Sequence, residues 1–252
     1  MNLELPMCLL DWIDKDKLNW TQLSQNVNAI QMLKENPLQI DWYKLSKNQC
    51  AEAIALLKEN PDNIDWNCLS LNPCAEAIAL LKENSLKINW FALSENPNAV
   101  ALLKKSLKFN WTLLSYNTNA EAVALLRENP LKIDWYNLSL NPCAEAVALL
   151  KENPDKIVWS KLSQNPCAVA LLKENPLKID WAMLSYNPNA IALLRENLDK
   201  INWPHLSQNP CAEAIALLKE NPDKINLTYL SRNPNAEAIA LLKENPLQID
   251  WT

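Results

Sequence analysis

Tryptophan recurs in this chain at an interval too regular for an ordinary globular core. It stands at Trp20, Trp42, Trp66, Trp90, Trp111, Trp135, Trp159, Trp181, Trp203 and Trp251, and Leu227 fills the one missing beat. The steps are 22, 24, 24, 21, 24, 24, 22, 22, 24 and 24 residues. Self-similarity at such a period predicts stacked repeats, each too small to bury its own apolar face alone. A full unit reads NPCAEAIALLKENPDKI, then Asp or Asn, Trp, two variable residues and a Leu-Ser pair. The step varies because six units carry an extra Ala-Glu pair, as at Ala51-Glu52, Ala75-Glu76 and Ala144-Glu145. The four units from Asn26, Asn96, Asn165 and Asn187 lack it.

Each unit predicts a longer helix followed by a short second one. Pairs such as Asn72-Pro73, Asn141-Pro142 and Asn209-Pro210 read as the N-cap and first position of the long helix. Its end is expected at Asn60-Pro61, Asn129-Pro130 and their equivalents. There Asn would take the left-handed conformation that Gly usually supplies, and Pro cannot continue a helix. The long segment is apolar nearly all round, which predicts burial on both flanks. An extended link with one apolar residue (Ile40, Ile64, Ile88, Phe109 and so on) leads to an Asp or Asn that caps the second helix. Its Trp and the Leu three residues later share one face. The expected fold is all-α, a single solenoid over residues 1–252 of about ten 22–24-residue repeats. Residues 1–24 read as a degenerate capping repeat, made polar by Asp11, Asp14, Lys15, Asp16 and Lys17. Residues 25–252 read as tandem units that stop mid-unit at Ile249-Asp250-Trp251-Thr252, an uncapped end that would expose core-type surface.

The absence of glycine excludes whole classes of activity. Dinucleotide loops, phosphate-cradling loops and nucleophile elbows all need backbone without a Cβ. A single histidine, His205, leaves little room for His-based catalysis or metal binding. The expectation is a chain that is not an enzyme and uses no cofactor. The N-terminus, MNLELPMCLL, has no basic residue before its apolar run and does not read as a secretory signal. No apolar stretch is long enough to cross a membrane. Seven cysteines, an odd number, fit reduced thiols in a cytoplasm-like compartment.

Several residue columns could carry chemistry. Cys50, Cys74, Cys143, Cys167 and Cys211 share one repeat phase, which Asn28, Asn98, Asn119, Asn189 and Asn235 occupy in other units. This interchange reads as a small half-buried structural site rather than a ligand set. Equivalent Cα atoms in adjacent repeats, ~9–10 Å apart, are too distant for disulfides. His205 falls at a variable position and reads as a surface residue. The Ser that recurs in every unit (Ser46, Ser70, Ser94, Ser139) reads as a hydroxyl bonded to nearby backbone. Rows of Lys, from Lys34 to Lys243 and from Lys87 to Lys224, could follow nucleic-acid phosphates. The formal charge of −5 favours a solvated mixed-charge edge instead.

The positions the repeat leaves free surround each second helix, at one, two and five residues past Trp. They are unusually apolar and aromatic for exposed sites. Tyr43, Leu71, Phe91, Tyr116, Tyr136, Leu140, Tyr186 and Tyr229 form a candidate protein-binding strip, though such rings can equally pack between repeats.

The segment Leu184-Ser185-Tyr186-Asn187-Pro188-Asn189-Ala190-Ile191-Ala192-Leu193-Leu194, with Asn175-Pro176-Leu177-Lys178-Ile179-Asp180-Trp181, resembles a known repeat. It is similar to the Asn-Pro/Trp tandem repeats of uncharacterised proteins of giant DNA viruses, over almost the whole chain. The opening Leu10-Asp11-Trp12 and Asp16-Lys17-Leu18-Asn19-Trp20 resemble the start of those proteins. The Ala-Glu pair and the frequent Cys depart from their common form. The resemblance implies a repeat fold and a setting in host cytoplasm or virion, and carries over no catalytic or ligand residues. A fold-level analogy is the leucine-rich-variant solenoid, also built of short two-helix units. The functional expectation is a rigid scaffold that binds a protein partner along the second-helix strip. The alternatives are a self-assembling or virion-associated protein joined through its bare C-terminal end, and a nucleic-acid-binding solenoid.

Overall fold

A computed structural model describes residues 14–243 apart from 107 and 109. Most of the expected N-terminal cap (residues 1–13), Phe109 and the terminal Ile249–Thr252 lie outside the described residues. The chain divides into two compact units, Met1–Ala122 and Val123–Thr252. All regular structure among the described residues is helical. Each unit is a stack of repeats, as expected of an α-solenoid. In the first, the second helices Trp66–Leu71 and Trp90–Leu93 pack side by side, as do the long helices Ala51–Glu59 and Ala75–Glu83. In the second, Trp135–Leu140 packs on Trp159–Gln164, and Ala212–Glu220 on Ala236–Lys243. No described helix is long and apolar enough to cross a membrane.

The extra Ala-Glu pair adds most of a helical turn. Units that carry it form nine-residue helices such as Ala51–Glu59, Ala144–Glu152 and Ala212–Glu220. Units without it form shorter ones, Ile30–Glu35, Val169–Glu174 and Ile191–Arg195. The long helix is amphipathic rather than apolar all round. In Ala75–Glu83 the buried residues are Ala77, Ile78, Leu80 and Leu81, while Ala75 and Ala79 join Glu76, Lys82 and Glu83 in solvent. Two of the alanines that made the segment look apolar, Ala75 and Ala79, lie on its outer face, where their short side chains expose little hydrocarbon.

Three local details differ from the sequence reading. The long helix starts after the Asn-Pro pair, not on it. Cys50, Cys74, Cys143 and Cys211 hold the N-cap position, and Asn48, Asn72, Asn141 and Asn209 lie two residues upstream. The Asn at the helix end keeps a negative φ, −132° at Asn60 and −129° at Asn153. Its role there is hydrogen bonding. Asn60 donates from its backbone N–H to Leu57 O and from Nδ2 to Leu56 O at 2.9 Å. Two carbonyls orphaned at the helix end are thereby satisfied just before Pro61, which has no N–H to offer. The link then forms a single 3-10 turn, as at Pro61–Asn63 or Pro130–Lys132, before the extended Ile.

The second helix begins as expected. Asp41, Asp65, Asn89, Asn110, Asp134, Asp180, Asn202 and Asn226 each accept the backbone N–H three residues on, as from Lys44 to Asp41 at 3.0 Å. Val158 holds this position before Trp159 and makes no such bond. The Leu three residues after Trp (Leu45, Leu69, Leu93, Leu138, Leu162) is completely buried, and Ile64, Ile88 and Ile157 close the other side of the core.

A polar seam runs through each stack. Ser70 Oγ donates to Trp66 O, as a local hydroxyl should, and also accepts the N–H of Asn89 from the next repeat at 3.1 Å. Asn96 Nδ2 reaches back to Ser70 O at 3.0 Å and Asn72 O at 2.9 Å, while its Oδ1 accepts the N–H of Asn98. Ser163, Asn165 and Asn187 repeat the pattern in the second unit. These Ser and Asn side chains are buried, and no buried side-chain N or O among the described residues lacks a hydrogen bond. Within each stack the described junctions are thus held by apolar contact and by oriented donors and acceptors that fix their register.

Candidate functional site

The second helices are only four to six residues long, so a side chain at any free position reaches the surface or the adjoining repeat. The expected strip separates along that line. Tyr43, Phe91 and Tyr136, each one residue past Trp, are 48%, 60% and 49% exposed; Leu71 and Tyr116, five past Trp, are 40% and 44% exposed. Leu140, Tyr186 and Tyr229 are half-buried. Of the eight expected residues, five present hydrocarbon to solvent.

In residues 1–122 the exposed members are Tyr43, Leu71, Phe91 and Tyr116. The Lys47 ammonium lies 4.1 Å from the Tyr43 ring centroid and donates to its hydroxyl at 2.6 Å. That bond pushes the lysine pKa above its ordinary value and keeps it charged. Lys108 sits over Trp90 at 5.2 Å. Trp90, Phe91, Lys108 and Asn110 line a shallow cleft of about 230 Å³. In residues 123–252, Lys161 lies 4.8 Å from the Tyr136 centroid and Lys200 4.7 Å from that of Trp181. His205 is not a free surface residue. It stacks on Tyr186 with centroids 4.2 Å apart, lies 6.4 Å from Tyr229, and its Nδ1 is 2.9 Å from Ala182 O. Burial raises the Tyr186 pKa. These rings tie three consecutive second helices together.

The long-helix edge treats its charges differently. Lys58–Glu83 and Lys104–Glu121 pair across neighbouring repeats in the first unit; Arg127–Glu152, Lys151–Glu174 and Lys219–Glu237 do so in the second. Arg195 grips Glu220 through both guanidinium nitrogens, at 2.6 and 2.9 Å, which holds that carboxyl below the usual range. In the other lysine row, Lys156 and Lys224 pair with the adjacent Asp155 and Asp223. Five lysines of the two rows, Lys58, Lys151, Lys156, Lys219 and Lys224, are thus paired in place.

Four of the five cysteines in the column stand at a helix start, while Cys167 lies two residues before Val169–Glu174 and is exposed. Cys74 and Cys143 donate Sγ–H to Glu76 and Glu145 at 2.7 Å, and Cys211 to Glu213 at 2.5 Å. Burial first, then the carboxylate contact, pushes these thiols up. Where Asn takes the position it also reaches the preceding repeat, as from Asn98 to Pro73 O at 2.8 Å and Asn189 to Pro166 O at 2.9 Å. Among the described residues no group of three or more His, Cys, Asp or Glu could hold a metal ion.

Sequence reading missed one row. Leu38, Leu86, Leu131 and Leu177, each in the middle of its 3-10 turn, are 96–99% exposed. Asp62, Asp155 and Asp223 take the same place in other repeats. That Leu/Asp exchange at one phase is the sequence signal that marks the position as solvent-facing. The chain matches no family model, and no curated protein or solved structure shows significant similarity to it.

Proposed function

We propose that the protein is a non-enzymatic scaffold whose second-helix surface docks a protein partner. The observation that carries this reading is the outward presentation of Tyr43, Leu71, Phe91, Tyr116 and Tyr136 at positions the packing leaves free. Buried positions repeat the same Leu, Ile, Ser and Asn from unit to unit, whereas these vary. Aromatic side chains held on short capped helices lose little conformational freedom on binding, which suits them to be anchors. The resemblance to giant-virus repeats supports a host cytoplasm or a virion as the working setting of this proposal. The test is affinity capture from that setting with Tyr43→Ala, Phe91→Ala, Tyr116→Ala and Tyr136→Ala, singly and combined. Partners should be lost in the combined variant while its thermal unfolding stays that of the parent. Unchanged capture would end the docking reading.

Self-assembly is the second reading, favoured by the nearly fully exposed Leu38, Leu86, Leu131 and Leu177. Light scattering separates the two. A mass that grows with concentration and falls back when these leucines become Asp supports assembly; a constant monomer mass removes it. Nucleic-acid binding has less support, because lysines of both rows it would need already pair with carboxylates.

A further inference from the structure

The cleft on the second-helix face of residues 1–122 has a chemistry narrower than general apolar docking. Its floor is aromatic, from Trp90 and Phe91, and its one charged wall is Lys108. Asn110 completes it. Oδ1 of Asn110 caps its own helix by accepting from Leu113 N–H at 2.9 Å, and Nδ2 makes no hydrogen bond among the described residues. Two kinds of donor, an ammonium and an amide N–H, thus border an apolar surface.

Two charges stand at the cleft: Lys108 on its wall, and the exposed Glu95 four residues past Phe91. The other charged free second-helix positions of residues 1–122 are Lys44 and Lys47, both cations, although the chain as a whole carries −5. Asp41 and Asp65, which also lie on the second-helix side of this unit, direct a carboxylate oxygen to the backbone N–H groups of Lys44 and Cys68. The caps nearer the cleft are the neutral Asn89 and Asn110. Lys47 and Lys108 lie against aromatic rings, and among the described residues neither has a carboxylate within ion-pair distance. On the long-helix edge, by contrast, Lys58 and Lys104 are paired with Glu83 and Glu121. A cation over a ring remains able to take an anion, because the ring quadrupole attracts it without neutralising it.

We propose that this face takes an acidic peptide segment, seating an apolar side chain against Trp90 and Phe91 and a carboxylate on Lys108, with Lys47 meeting a second acid along the strip. This deepens the docking function proposed above and rests on it. Electrostatic complementarity of this kind selects partners and orients them more than it adds raw affinity.

The test is selection of a random twelve-residue phage-displayed peptide library on the full chain, followed by affinity measurement of the enriched peptides. Enriched sequences should combine aromatic or aliphatic residues with Asp and Glu. Their affinity should fall about five- to tenfold in Lys108→Glu. A peptide with one Glu changed to Lys should recover part of that loss on the variant. Raising salt from about 0.05 to 0.5 M should weaken binding. Lys108 is exposed, so circular dichroism of the variant should match the parent, which keeps the comparison clean. Enrichment of neutral or basic peptides, or acidic ones indifferent to Lys108→Glu, overturns the proposal. If such peptides are still lost in Phe91→Ala, the docking function survives without it. If nothing is enriched, the acidic-peptide proposal falls, and the docking function is decided by the capture experiment.

Discussion

The buried seam and the second-helix strip run along the same short helices and obey opposite rules. At the seam, Ser70, Asn72, Ser94 and Asn96 recur in kind from repeat to repeat, are buried, and direct their polar atoms to backbone. One residue past Trp, where the side chain faces outward, the first unit runs Thr21, Tyr43, Asn67, Phe91 and Thr112. The difference shows where packing imposes identity and where it imposes nothing. It also separates two uses of charge. On the long-helix edge Lys58, Lys104, Arg127, Lys151, Arg195 and Lys219 meet carboxylates, while Lys47, Lys108, Lys161 and Lys200 meet rings.

The contrast breaks most easily at an asparagine. Asn72→Ala strips Ser46 O and Asn48 O of their donor and leaves the Cys74 N–H without its acceptor. We expect a loss of about 2–4 kcal/mol in urea unfolding. Phe91→Ala, on the strip, should stay within about 0.5 kcal/mol of the parent. Equal losses at the two positions would erase the distinction.

Val158→Asp should restore the cap found before the other described second helices and add about 1 kcal/mol. Its melting curve compared with the parent's tests whether capping is worth the same in every repeat. Cys167→Asn should let the new amide reach Pro142 O as Asn189 reaches Pro166 O, with a gain of about 0.5 kcal/mol. Absence of any gain would mean that this inter-repeat bond only replaces one to water.

The thiols give the smallest effect, one of rate. Because their pKa values are raised, Cys74, Cys143 and Cys211 hold less thiolate at a given pH than a free cysteine does. Labelling by a disulfide reagent should follow a profile displaced to alkaline pH. Glu76→Gln should move the Cys74 profile back only in part, since burial is the larger cause. Cys68, buried and pushed up to about 11, should react last. A normal profile at Cys74 would mean that the Glu76 contact does not persist in solution.

The period, the pairing of a long and a short helix, and the Asp or Asn before Trp were legible because each rests on residues a few positions apart. The seam was not. An Asn that accepts an N–H two residues on and an Asn that caps a helix are the same letter before the same proline, and the bonds from Asn72 back to Ser46 and Asn48 span 26 and 24 residues. The strip was legible in part. Spacing placed Tyr43 and Tyr186 alike at free positions around their own second helices, and Tyr186 is half-buried where it stacks on the ring of His205. The leucine row escaped because a Leu after Asn-Pro adds to apparent core content, while its position in a tight turn keeps it in water.

The seam also has a direction. Within each stack, a repeat offers hydroxyl oxygens and carbonyls to the one that follows and receives its amide, as Ser70 does for Asn89 and Asn96, so front and back differ and each back fits any front. Adding or excising a whole period inside either stack would leave each remaining junction complete. A chain built this way can change its length by duplication and deletion of its coding segments, with the cost of an incomplete partner falling only on the first and last members of the series.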